Sequence, residues 1–177
     1  MGEVTKTVDQ VVRAMVNREG KYLTFSLAGE EYGIGILKIK EIIGMMPITP
    51  VPRTPSYVKG VINLRGKVIP VVNLRLKFGM EEISYTDRTC IIVVETRGQA
   101  GLPAGQVGSV LIGIVVDSVS EVLNIRGSEI EEAPAFGGKL ETDYILGMAK
   151  RDGGVKILLD IDKVLGSETL EVIREAA

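Results

Sequence analysis

The longest apolar run in this chain, Val-Leu-Ile-Gly-Ile-Val-Val at 110–116, spans only seven residues, and turn-forming residues separate it from similar runs on either side. A membrane helix needs about 20 apolar residues, so no stretch here qualifies. Runs this short are strand-sized, and the period along them agrees. In Lys21–Ala28, Leu23, Phe25 and Leu27 face one way while Tyr22, Thr24 and Ser26 face the other, a half-buried strand. A turn at 29–31 returns the chain as a second strand. The pattern continues to a total of nine or ten short strands with regular turns and few helices, which predicts an all-β barrel or sandwich. Closure also removes exposed sheet edges.

The punctuation between the runs refines this picture. Gly33 and Gly35 resemble part of a dinucleotide-binding loop, but Lys38 stands where a third glycine would be and no acidic residue follows at the required distance. These glycines are read as a bend or a close backbone approach inside a sheet. Residues 36–43 read as a short helical turn entering a strand. Residues 47–55 hold four prolines and read as a rigid connector. Asn63–Arg75 contains the tripeptide Asn-Leu-Arg twice, on either side of a hairpin whose turn is Arg65-Gly66. Pro70 lacks an N–H and is expected at an edge, a bulge or a corner. Leu74–Gly79 reads as a short helix ended by glycine, with Arg75 solvated on it.

A strand containing Cys90 is expected to be buried on both faces, with Cys90 a core thiol. The glycine-rich stretch 97–108 lacks a phosphate-binding pattern and is read as a long loop. Further on, a turn at Asp117-Ser118 and a hairpin across Asp152–Gly154 are expected. Asp160 and Asp162 form a D-x-D pair, read as a helix cap because no further oxygen ligand is near in sequence. Val4, Val8, Val11, Val12 and Met15 share a helical face, so residues 1–19 read as a terminal helix or arm. Ser167 is expected to cap a closing helix.

Composition removes several chemistries. The chain has no His, which excludes the Ser-His-Asp triad and the usual zinc sites. Its single Cys cannot form an internal disulfide, which fits a reducing compartment. The first twenty residues hold no apolar block, so no signal peptide is expected. No pair of carboxylates can be nominated as acid and base, and the expectation is a binding protein rather than an enzyme, with no cofactor and no metal. Charge is uneven: between Ile42 and Met80 there are six basic residues (Arg53, Lys59, Arg65, Lys67, Arg75, Lys77) and no acid. That asymmetry suits a small nucleic-acid-binding barrel. The basic residues alternate with aliphatics rather than with stacking aromatics, and the whole chain carries −2, so this reading ranks second.

At 22–42 and 55–79 the resemblance becomes specific. The run Val58–Phe78, together with 113–123 and 144–165, resembles the CheW family of chemotaxis coupling proteins. The resemblance covers about residues 20–170 and implies a mainly β fold, two intertwined SH3-like five-stranded β-barrels with a few short helices and a core between them. It leaves 171–177 as the end of a C-terminal helix. It implies a non-catalytic adaptor joining the cytoplasmic tip of a chemoreceptor to the regulatory domain of the histidine kinase CheA. Such an adaptor is cytoplasmic and reaches receptor arrays at the membrane's inner face through its partners, without inserting itself. A CheW-like paralogue in another receptor–kinase pathway fits the same motifs. By position, the resemblance assigns receptor or kinase contact to Ile39, Glu41, Gly60, Arg65, Cys90 and Val122. Bland readings stand beside these: Ile39 and Val122 as core, Gly60 as a bend, Glu41 as a solvated charge.

Overall fold

The structure, a computed structural model, describes residues 18–98, 108–133 and 144–166. Among the described residues, eleven strands form two sheets. One is six-stranded, built from β1 (Gly20–Leu27), β2 (Glu30–Gly35), β8 (Ser118–Ile125), β9 (Ile130–Glu131), β10 (Ile145–Arg151) and β11 (Gly154–Leu159), in the order β8-β1-β2-β11-β10-β9. The other is five-stranded, built from β3 (Ile39–Gly44), β4 (Val58–Leu64), β5 (Lys67–Asn73), β6 (Cys90–Gly98) and β7 (Gly108–Val116), in the order β3-β6-β7-β5-β4. From β1 onward the chain runs in the first sheet, leaves it for the second, and returns, which makes the two halves intertwined. The sixth strand of the first sheet, against the five expected, is the two-residue β9 paired with Met148 and Ala149.

Each sheet curls until chain continuity joins its two edges. Beyond β3, Thr49 bridges to Val61 of β4, the opposite edge. Beyond β8, one 3₁₀ turn at Gly127–Glu129 leads straight into β9. Barrel curvature explains a burial pattern that alternation alone missed. A strand with one face inside its barrel and the other against the second barrel is buried on both. In β6, Ile91 and Val93 fill the interior of the five-stranded barrel, while Ile92 and Val94 enter a layer shared with Leu23, Phe25, Leu27 and Ile34 of the six-stranded one. The same holds for β1. Tyr22 packs inside its own barrel and Thr24 is fully buried, so the half-buried reading of this strand is corrected. Thr24 sits where β1 slips register against β8, and its hydroxyl donates to the Glu121 carbonyl (2.8 Å) and accepts from the Glu121 N–H (3.1 Å).

Local signals landed where chemistry required them. Gly33 faces Tyr22 and Leu158 inside the barrel, and a Cβ there would come within 3.0 Å of Leu158. Residues 36–38 form one 3₁₀ turn before β3. The parallel pairing of β5 with β7 begins at Val71, leaving Pro70 just outside it. Asn73 caps α1 (Leu74–Lys77) by accepting the Leu76 N–H at 3.1 Å, and Gly79 ends it with φ +77°. Asp160 caps the helical residues 161–166 through the Lys163 N–H, at 3.3 Å. The β6–β7 hairpin extends to Gly98 and Gly108, which shortens the loop expected at 97–108. The expected helices at 1–19 and from Ser167 onward lie outside the described residues, apart from residues 18–19.

Candidate partner-binding site

The β4–β5 turn places Arg65 and Gly66 in the left-handed region, at φ +51° and +87°. Two successive positive φ values match the right-handed twist of the strands they join. Asn63 secures the turn by accepting the Gly66 N–H at 2.9 Å. From this tip the Arg65 guanidinium reaches Glu41 on β3, the opposite edge of the sheet. Nη1 donates to Oε1 at 2.8 Å and Nη2 donates to Oε2. A planar fork against a carboxylate is geometrically specific. These hydrogen bonds hold the Glu41 carboxyl below its usual range, against a smaller opposing push from burial. The pair therefore spans the seam of the five-stranded barrel. Beneath it lies a cleft lined by Leu64, Ile69, Val93 and Leu111, with Lys40 and Glu95 paired at 2.7 Å beside it. Arg65 is anchored by its carboxylate partner yet open to solvent: its side chain is 72% exposed, while that of Glu41 is 30% exposed.

The other candidate residues fall around this mouth or away from it. Ile39 starts β3 and is half-buried against the shared layer. Gly60 lies at a register slip of β4 with φ +140°, and an added Cβ would stand 2.0 Å from the Thr49 carbonyl oxygen. That geometry gives Gly60 a backbone role. Cys90 opens β6 opposite Gly44 and Val116, half-buried, with its thiol donating to the Arg88 carbonyl at 3.1 Å. Val122 stands on β8, the edge of the other sheet, 51% exposed. Five of the six candidates thus belong to one barrel and Val122 to the other.

Two groupings escaped the sequence reading. A second cleft is lined by Met45, Met46, Ile48, Val58 and Tyr85, with the Lys59–Glu82 ion pair at its rim. Apart from Val58 and Lys59, which open β4, its residues come from irregular connectors, where no period betrays a shared face. The second is Arg75, which is not solvated: its side chain is 13% exposed and grips Asp117 through Nε to Oδ1 (2.7 Å) and Nη2 to Oδ2 (2.6 Å). Asp117 Oδ2 also accepts the Ala28 N–H at 2.9 Å. Arg75 holds the Asp117 carboxyl below its ordinary range, with burial opposing and the Ala28 hydrogen bond assisting. The basic stretch 42–80 is correspondingly offset. Arg65, Lys59 and Arg75 meet Glu41, Glu82 and Asp117, all from outside it, and Lys77 lies 4.3 Å from the Tyr57 ring centre. Among the described residues no three His, Cys, Asp or Glu side chains group as a metal site, and no helix is long and apolar enough to cross a membrane.

Two β-barrels that share a core and carry ion-paired clefts at the surface define a CheW-like domain, and the family model of that description matches residues 21–169. The chain belongs to the CheW family. It is 38% identical over 171 residues to the chemotaxis protein CheW of Klebsiella aerogenes, covering 97% of this chain and 95% of that one. It is 32% identical over 157 residues to the chemotaxis protein CheW of Rhizobium meliloti, covering 89% and 94%. Among solved structures, the scaffolding protein TtCheW of Thermoanaerobacter tengcongensis is similar with a TM-score of 0.69 at 34% identity, over 83% of this chain and 92% of that one.

Proposed function

We propose that this chain is a chemotaxis adaptor that couples the cytoplasmic tips of chemoreceptors to the regulatory domain of the histidine kinase CheA. It would do so without catalysis, in the cytoplasm, at receptor arrays that it reaches through its partners. Membership of the CheW family supports the chemotaxis role. The observation that carries the choice of surface is the Glu41–Arg65 fork at the mouth of the five-stranded barrel. Its apolar floor can supply affinity, and its directional charges can set register and partner choice. Weak individual contacts become effective when many copies act in an array.

In this reading Arg65, Glu41 and Val122 meet partners directly. Ile39 and Cys90 shape the surface from a half-buried position, and Gly60 shapes it through the backbone. Arg65→Ala is expected to weaken receptor-dependent control of the kinase while leaving the melting temperature unchanged, because the side chain is mostly in water. A reconstituted receptor–kinase assay with normal coupling by this variant would remove Arg65 from the contact surface. A CheW-like role in another receptor–kinase pathway predicts the same surface with a different pair of partners, and a titration against a CheA regulatory domain separates the two. The nucleic-acid reading is weakened by the ion pairs that offset half of the six basic residues.

A further inference from the structure

The strand path crosses between the sheets twice among the described residues, and an ion pair sits at each crossing. The first crossing is the 3₁₀ turn at residues 36–38, between β2 and β3. Here Lys38 reaches Asp162, in the helical segment that follows β11, at 2.5 Å. The second crossing is one residue long: Asp117, between β7 and β8. Its N–H donates to the Ser26 carbonyl of β1 at 3.1 Å. Its carboxylate is held by Arg75 from the five-stranded side and by the Ala28 N–H from the six-stranded side. Arg75 Nη1 also donates to the Glu81 carbonyl at 3.1 Å, which anchors the guanidinium in its own barrel.

The two pairs differ in burial. The Arg75 and Asp117 side chains are 13% and 21% exposed, against 37% and 30% for Lys38 and Asp162. They also differ in chemistry, since guanidinium is a rigid planar fork and ammonium a rotatable point charge. The shared apolar layer drives the barrels together, but hydrophobic attraction has no direction. We propose that the Arg75–Asp117–Ala28 clamp sets the angle between the two barrels, with the Lys38–Asp162 pair a secondary, more yielding tether. A buried ionic group used to select one packing arrangement is a recognised form of conformational specificity. The clamp would then fix the spacing between Val122 on one barrel and Glu41–Arg65 on the other. That last consequence rests on the proposed function; the clamp does not.

The test is a pair of spin labels, one per barrel, at Val68→Cys and Val155→Cys, positions that are 69% and 50% exposed. Cys90→Ser removes the native thiol from labelling. Pulsed dipolar distances are measured on full-length protein at a temperature where circular dichroism reports each variant folded. The expected result is a narrow distribution in the parent that broadens or shifts in Arg75→Gln. Arg75→Lys, which keeps the charge and loses the fork, should broaden it too, and Lys38→Gln should disturb it less. Asp117→Asn serves as the second variant should Arg75→Gln fail to fold, and is expected to broaden the distribution. A parental distribution in both Arg75→Lys and the folded charge-removing variant would overturn the clamp. Broadening by Lys38→Gln equal to that by Arg75→Gln would overturn its primacy. Neither result bears on whether the protein couples receptors to a kinase.

Discussion

Replacing Gly60 by alanine separates a backbone role from a contact role. At φ +140° an L-residue is strained by about 1–3 kcal/mol. The new Cβ would lie 2.0 Å from the Thr49 oxygen, 2.7 Å from its carbonyl carbon and 2.9 Å from the Pro50 Cα. All three are backbone atoms, so no side chain can swing aside. Relief requires residues 49–50 to lift from β4. That breaks the Thr49 N–H to Val61 oxygen bond (2.8 Å) and the Val61 N–H to Thr49 oxygen bond (2.9 Å). Each is worth about 1 kcal/mol net. The sum is about 3–5 kcal/mol, and a domain of this size loses about 2–4 °C per kcal/mol, so melting should fall by on the order of 10 °C. The chain has no Trp, so far-ultraviolet circular dichroism, with tyrosine emission as a second probe, follows the melt. A fall of less than about 2 °C would refute the reasoning, because it would mean that the 49–50 connector yields at almost no cost. Wild-type stability combined with lost partner binding would restore Gly60 as a contact residue.

Thr24→Val should cost about 1–3 kcal/mol in urea unfolding, since it strips the Glu121 N–H and carbonyl of their partner at the β1–β8 slip, whereas Thr24→Ser should stay near the parent. Arg75→Gln should lose about 2–3 kcal/mol at neutral pH, from two charge-assisted hydrogen bonds in a mostly buried setting. Its pH dependence has a definite sign. The folded Asp117 carboxyl is held below its ordinary value, so the stabilisation is fully present above about pH 4–5 and is lost as pH falls through the lowered folded value. The gap between the parent and Arg75→Gln should therefore close below about pH 4 in acid titrations followed by circular dichroism, and a constant gap would count against this assignment.

Much of the fold is legible as local chemistry. Strand length, turn positions, the Asn73 and Asp160 caps, the Gly79 stop and the 3₁₀ entry to β3 all depend on neighbours a few residues away, and the chain carries those neighbours with it. Curvature is not local. Tyr22 and Thr24 alternate with Leu23 and Phe25 as a half-exposed strand should, yet both are buried because the sheet closes behind them. The Met45–Tyr85 cleft is equally non-local, assembled from the start of β4 and from connectors without a period.

The repeated Asn-Leu-Arg shows where the division falls. Both asparagines do the same local work, accepting an N–H three residues on, at 2.9 Å for Asn63 and 3.1 Å for Asn73. That much the sequence by itself determined, because the geometry is complete within a few residues. Both arginines then form two-toothed pairs with carboxylates distant in sequence, Glu41 and Asp117. One pair faces water at a barrel mouth and the other lies between two barrels. Only the tertiary structure decided which arginine would face water and which would be enclosed between the barrels, since burial and the arrival of a distant carboxylate are properties of the closed barrels.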